Sequence, residues 1–146
     1  MSLCIREVTS ENWRGIAELT VAGHQQTFIE SNAYSLAESQ FETNWVSIGI
    51  YDEDTLIGYA MYGQDLMSRE IWLDRFMIDH HFQGKGYARM IFPLLLQRIR
   101  QEYSCKRIYL SVHQENLPAR KLYESFGFRL TGEQDTGGEA VMVLQS

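Results

Sequence analysis

IWLDRFMIDHHFQGKGYARMIFPLLLQRI, residues 71–99, carries three pieces of local structure in order. The first, Ile71 to Ile78, is rich in apolar and aromatic residues and predicts a strand. The second, FQGKGYARM (82–90), is a turn built round Gly84 and Gly86. The third repeats Ala88, Ile91, Phe92, Leu95 and Ile99 at helical spacing and predicts a helix from about Lys85 to Tyr103. Pro93 offers no amide to the carbonyl of Arg89, so a kink or local loosening is expected there.

A strand that hands over to a helix through glycines is one way to hold a phosphate. Backbone amides converge there, and the helix N-terminus adds a favourable dipole. Lys85 and Arg89 bring positive charge nearby. The spacing is not that of the nucleoside-triphosphate loop, GxxxxGK followed by Ser or Thr. Nor is it the dinucleotide fingerprint, because Arg89 stands where the third glycine belongs. Taken alone, GxG reads equally well as a corner.

Outward from this segment the patterns continue. LCIREV (3–8) alternates as a strand, and Thr9 or Ser10 can cap a helix whose apolar face is Trp13, Ile16, Ala17 and Val21. Residues 24–44 are ambiguous; Ser35 can cap a short helix, with Glu38 as its capping-box partner. WVSIGIY (45–51), a DEDT turn and LIGYAMYG (56–63) form a hairpin. After the glycine turn and its helix comes the strand KRIYLSV (106–112). A second helix starts near Leu117 or Pro118, buries Ala119, Leu122, Tyr123 and Phe126, and ends at Gly127. FRLTGE and AVMVLQ are the last two strands, joined across DTGG. This order predicts an α/β (α+β) protein on a mixed sheet, with residues 1–146 as one domain.

The formal net charge is -6, from 19 acidic and 13 basic residues, and no dense Lys/Arg stripe is visible. Nucleic acid is therefore not the expected partner. No apolar run approaches a membrane span, and MSLCIREVTSENW lacks the pattern of a signal peptide. The two cysteines, Cys4 and Cys105, read as buried thiols in a reducing compartment, and the cytoplasm is expected. Cys105 has no base partner in sequence and is a poor nucleophile; no His/Cys/Asp spacing supports a metal site.

Two blocks decide between phosphate cradle and corner. Gln83, Gly86 and Ala88 fit Q/R-x-x-G-x-G/A, and Asn116, Tyr123, Gly127 and Phe128 fit an Asn, a helix with Tyr, then x-x-x-G-F. With the hairpin and strand before the loop, the chain resembles the GCN5-related N-acetyltransferase (GNAT) family over nearly its whole length. That resemblance implies a mostly antiparallel sheet of about six to seven strands, flanked by helices and splayed in the middle for acetyl-coenzyme A. The pyrophosphate is then expected against Gln83, Gly84, Lys85, Gly86, Tyr87 and Ala88, and the pantetheine arm alongside Phe76, Met77 and Ile78. Arg89 either reaches a phosphate or stays in solvent. Asn116 bonds the pantetheine, caps its helix, or does both. The family often forms homodimers, sometimes by pairing or exchanging C-terminal strands.

Acetyl transfer to an amine needs a neutral amine, a polarised carbonyl, oxyanion donors and a proton for the departing thiolate. Tyr123 is the candidate acid, or else a half-buried core tyrosine, and the amide of Met77 or Ile78 is a candidate oxyanion donor. Asp74 is the candidate base, directly or through water, or else the partner of Arg75. His80 and His81 adjoin the loop and read mainly as solvated.

REIWLDRFMIDHHFQGKG and the stretch from Cys105 to Met142 are most similar to the small bacterial spermine/spermidine (diamine) acetyltransferases. The resemblance implies a small cationic amine as substrate. Such a site needs spaced carboxylates and aromatic walls. Glu30, Glu133, Asp135, Tyr34 and Trp72 are the candidates alongside Asp74. Another acceptor amine, or a coenzyme-A-binding module without turnover, is the alternative.

Overall fold

A computed structural model describes residues 2–28 and 30–146. The chain runs β1 (Leu3–Glu7), α1 (Trp13–Glu18), a 3-10 turn (Gly23–Phe28), α2 (Asn32–Phe41), β2 (Trp45–Asp52), β3 (Thr55–Gln64) and β4 (Ile71–Ile78). It continues with a 3-10 turn (His80–Phe82), α3 (Tyr87–Tyr103), β5 (Arg107–Val112), α4 (Leu117–Ser125), β6 (Arg129–Gln134) and β7 (Ala140–Gln145). The strands form one seven-stranded sheet in the order β1-β2-β3-β4-β5-β7-β6. Every neighbouring pair is antiparallel except β4 and β5. The mixed, mostly antiparallel sheet expected from the sequence is the one observed.

Side-chain alternation explains why helices cover both faces. Along β3, Ala60 and Tyr62 face the cluster built by Ile91, Phe92, Leu95, Leu96 and Ile99 of α3. Tyr59 and Met61 face the opposite cluster, with Ile16 of α1 and Leu36 of α2. The α3 stripe is fully or almost fully buried, and each such side chain contributes roughly 1.5–3 kcal/mol. α3 is continuous through Pro93, which lies on its exposed side.

Three boundaries differ from expectation for local reasons. α2 is capped by Ser31, whose Oγ accepts the Tyr34 amide at 3.2 Å. Ser35 is buried one turn further on, where its Oγ accepts from Arg75 Nε at 3.2 Å, and Glu38 lies 3.8 Å from the same guanidinium. α1 ends at Glu18, so Val21 is buried from the connection that follows. α3 starts at Tyr87 because Gly86 takes a left-handed conformation (φ 83°), which cannot continue into a helix. Cys4 and Cys105 are both half-buried free thiols, less enclosed than the sequence suggested.

The sheet opens where the parallel pair begins. β4 and β5 are in register at Trp72 and Tyr109, whose rings stack with centroids 5.5 Å apart. A second irregularity lies on the other side of β4. Met61 faces Arg75 and Tyr62 faces Leu73, so Asp74 is an extra residue in a β-bulge. Bulges re-aim side chains, and this one stands beside the opening.

Candidate active site

Two cavities occupy the opening and meet at Phe76, Asn116, Ala119 and Tyr123. The first, about 460 Å³, runs from Phe76, Met77 and Ile78 over Gln83, Gly84, Gly86, Tyr87, Ala88 and Arg89 to α4. All of these were proposed from the sequence as donor-binding residues, and the fold places them along one wall. Gln83 braces that wall: its Nε2 donates to the carbonyl of Ile78 at 3.0 Å and to Gln25 Oε1 at 3.1 Å. Asp79 braces it from below. Its carboxylate accepts the amide of Thr20 at 2.9 Å and pairs with His81 Nδ1 at 2.8 Å. Burial alone raises the pKa of Asp79, but the Thr20 amide and His81 outweigh it and hold the group below its usual value.

Arg89 and Lys85 are less directly placed. Arg89 donates to Ser125 Oγ at 3.0 Å and lies over the Phe126 ring, so it lines the cavity while tied to α4. Lys85 does not line the cavity; its Nζ sits 5.8 Å from the centre of the Phe82 ring. Tyr87 lines it and donates its hydroxyl to Asp52 at 2.6 Å. Asn116 accepts the Ala119 amide at 3.4 Å, which makes it the α4 cap, and it also borders both cavities.

Tyr123 stands where the cavities join. Its ring is held by Phe92, 5.5 Å away, and Phe128, 6.1 Å away, and it is 9% exposed. Burial pushes its phenol above the ordinary range, and the charge of Glu139 adds to the effect. It therefore remains a protonated donor at neutral pH.

The second cavity, about 500 Å³, is polar and rich in carboxylates: Glu30, Asp74, Asp135 and Glu139 line it with Gln26, Arg75, Ser111 and His113. Asp74 Oδ2 accepts from Arg75 Nη1 at 3.0 Å. Burial raises the Asp74 pKa despite that cation. Glu139 Oε1 accepts from Ser111 Oγ at 3.1 Å, and burial raises its pKa too.

The structure brings Glu30, Asp74 and Asp135 to this cavity but leaves three candidates outside it. Tyr34 is 58% exposed on α2. Trp72 is turned onto Tyr109 and joins β4 to β5. Glu133 is exposed on β6, where the pairing with β7 shifts between Leu130 and Gln134. Glu139 and Ser111 were not found from the sequence. The DTGG turn pointed to a hairpin there, but not to the pairing of β7 with β5, which puts Ser111 opposite Val141.

A groove along a glycine-rich loop that shares Tyr123 with a carboxylate-lined cavity is an arrangement suited to a group-transfer enzyme with two substrates. The chain belongs to the acetyltransferase (GNAT) family, whose model matches residues 12–128. It is 41% identical to a probable spermine N(1)-acetyltransferase of Bacillus subtilis subsp. natto (strain BEST195), with 99% of each chain covered. It is 40% identical, again over 99% of each chain, to the spermine/spermidine N(1)-acetyltransferase of Bacillus subtilis (strain 168). Its fold is similar to a crystal structure of spermidine N-acetyltransferase from Vibrio cholerae in complex with CoA and spermine. The TM-score is 0.78 at 22% identity, covering 99% of this chain and 95% of that chain. No helix among the described residues is long and apolar enough to cross a membrane.

Proposed function

We propose that the protein transfers the acetyl group of acetyl-coenzyme A to a primary amine of a polyamine such as spermidine or spermine. One observation carries this reading: a cavity lined by Glu30, Asp74, Asp135 and Glu139 meets the donor groove at Tyr123. A polyamine carries several ammonium groups and few acceptors, so spaced carboxylates are the complement it needs. The 40% and 41% identical relatives, named for spermine and spermidine, support the same acceptor class.

Acetyl-coenzyme A supplies an activated carbonyl and a thiolate leaving group. The residues that would hold it are those of the groove from Phe76 to Arg89, with Gln83 keeping the loop closed against Ile78. Gly84 and Gly86, with φ of 77° and 83°, turn backbone amides toward an anion as side-chain-bearing residues rarely do. Tyr123 donates its phenolic proton to the departing sulfur. Asp74, placed by its bulge, draws the ammonium in and is one candidate to take its proton, directly or through water. The two cavities adjoin at Tyr123, which suits two substrates held side by side and direct attack with no covalent enzyme intermediate.

The 146 residues act as a single domain, in the cytoplasm, as a homodimer. β6, exposed along its length at the end of the sheet, offers the edge for pairing with a second copy. The test of function is a steady-state screen of amines with acetyl-coenzyme A, following thiol release. Saturable turnover on spermidine or spermine, well above that on peptides and aminoglycosides, is expected. No turnover on polyamines overturns the assignment.

A further inference from the structure

The two sides of the sheet opening present carboxylates at the same level. From the Trp72–Tyr109 register, two residues along each strand lead to Asp74 on β4 and Ser111 on β5. Ser111 holds Glu139, so Asp74 and Glu139 face the acceptor cavity from opposite banks. Their surroundings differ. Asp74 is bound by Arg75, which also donates to the Asp74 carbonyl at 2.8 Å and to Ser35. Its negative charge is matched by a fixed guanidinium. Among the described residues no lysine or arginine pairs with Glu139.

Glu139 is nevertheless rigidly placed. Its amide donates to Asp135 Oδ1 at 2.8 Å, and its carbonyl accepts from the Asp135 amide at 2.9 Å. Gly137 donates to the same Asp135 oxygen at 2.9 Å. The turn before β7 is thus closed by one carboxylate so that the next can be aimed. A fixed carboxylate with no lysine or arginine locked to it suits a proton acceptor.

We propose that Glu139 takes the proton of the attacking amine, with Asp74 as the fixed countercharge opposite it. This rests on the polyamine reading above. The ammonium gives one proton to Glu139, and the freed lone pair forms the C–N bond at the thioester carbonyl. The tetrahedral centre collapses with breakage of the C–S bond, and the sulfur takes the phenolic proton of Tyr123. The nitrogen's second proton restores Tyr123, and Glu139 releases its own to water. Ammonium and thioester become amide, thiol and one proton. The groups that act on the charge of Glu139 are Ser111, Asp135, Arg75 and His113, with Tyr123 also coupled to it. Burial and Asp135 make it more basic than an ordinary glutamate; the Ser111 hydroxyl, Arg75 and His113 act the other way.

The test compares Glu139→Gln, Ser111→Ala and Asp74→Asn with wild type on spermidine, at saturating acetyl-coenzyme A across pH. Glu139→Gln is expected to lower kcat about 100-fold or more, with the spermidine KM within about threefold of wild type, a split that marks loss at the transition state. The acid limb of the wild-type profile should vanish in Glu139→Gln. In Ser111→Ala it should move to higher pH, because a hydrogen bond that favours the charged carboxylate is gone. Asp74→Asn should raise KM more than it lowers kcat. The ionisation of spermidine itself is common to all four proteins and cancels. A wild-type kcat in Glu139→Gln, a rise in KM alone, or an unmoved limb in Ser111→Ala overturns the role of Glu139 while leaving polyamine acetylation intact. Absence of wild-type turnover on spermidine overturns both.

Discussion

Phe128 donates its amide to the carbonyl of Tyr123 at 3.1 Å, and Gly127 donates to Glu124 at 3.0 Å. Together these bonds close α4 in a Schellman motif, with the Phe128 and Tyr123 rings in contact as the hydrophobic part of the cap. The G-F pair that marks the sequence is therefore not a second binding element. It ends the helix at a fixed place and holds the phenol at the junction of the two cavities.

Gly127→Ala should show this coupling. Gly127 has φ of 100°, and an added Cβ would come within 3.2 Å of Leu144 Cδ1. A left-handed alanine costs roughly 1–2 kcal/mol, so a clear fall in Tm is expected. The substitution should also lower kcat, because the cap positions Tyr123. A stable variant with unchanged kcat would show that the cap serves folding alone.

Tyr123→Phe should separate chemistry from binding. The ring contacts with Phe92 and Phe128 survive, so the fold and the donor groove should persist. Turnover should fall by about 100-fold, the scale of one general acid, with coenzyme A affinity measured by calorimetry nearly unchanged. Equal rates for the two proteins would remove Tyr123 from proton transfer.

Local signals were the legible ones. Strand β1 follows from alternation, β2 and β3 from two apolar runs about a turn, β4 from its apolar and aromatic content, and the α3 stripe from helical spacing; the two glycine-containing motifs picked out residues that line one cavity. Long-range pairing was not legible. Glu139 reaches Ser111, 28 positions earlier, only because β7 inserts between β5 and β6. Glu133 falls outside because the β6–β7 register shifts before Gln134, and no periodicity encodes a bulge. Trp72 looked like an aromatic wall, but its partner Tyr109 lies on a strand whose adjacency the sequence does not state. Ser35 read as a cap because a short polar residue suits one; it is buried instead, with its Oγ accepting from Arg75 of β4, 40 positions away.

The acceptor carboxylates should lower stability in the free enzyme. Asp74 and Glu139 both have pKa values raised by burial. A carboxyl whose folded pKa exceeds its unfolded value favours the folded state while protonated. That contribution is full below the unfolded pKa and is lost as pH rises through the folded one. At neutral pH burial works against the charged form of both groups. Asp74→Asn and Glu139→Gln are therefore expected to keep or raise Tm at neutral pH while impairing turnover, and to lose that advantage in acid. A marked fall in Tm for both would assign them to the scaffold instead.

Asp79 should behave in the opposite sense. Burial opposes its charge, but the Thr20 amide and His81 prevail and lower its pKa. Its contribution is present above the unfolded pKa and disappears as pH falls through the folded value. Asp79→Asn should cost about 1–2 kcal/mol at neutral pH and little in acid. Because Asp79 ties Thr20 to the start of the glycine loop, coenzyme A binding should weaken as well. A pH-independent difference in unfolding free energy between the two proteins would show that the carboxylate charge is not the source.

Glu30 carries the last prediction, about reach. It is exposed at the rim of the acceptor cavity and also lines a smaller neighbouring cavity with Gln26, Asn32 and Met77. A carboxylate there is expected to meet the far end of an extended polyamine, not the reacting nitrogen. An exposed ion pair contributes roughly 0.2–1 kcal/mol, so Glu30→Gln should raise the spermine KM by about two- to fivefold, with kcat unchanged. The penalty should shrink as salt screens the pair. It should also be smaller for a short diamine, whose second ammonium stays nearer the reacting nitrogen. Steady-state kinetics for spermine and a short diamine at low and high salt measure all three trends. An equal penalty for the two amines would place Glu30 near the reacting nitrogen.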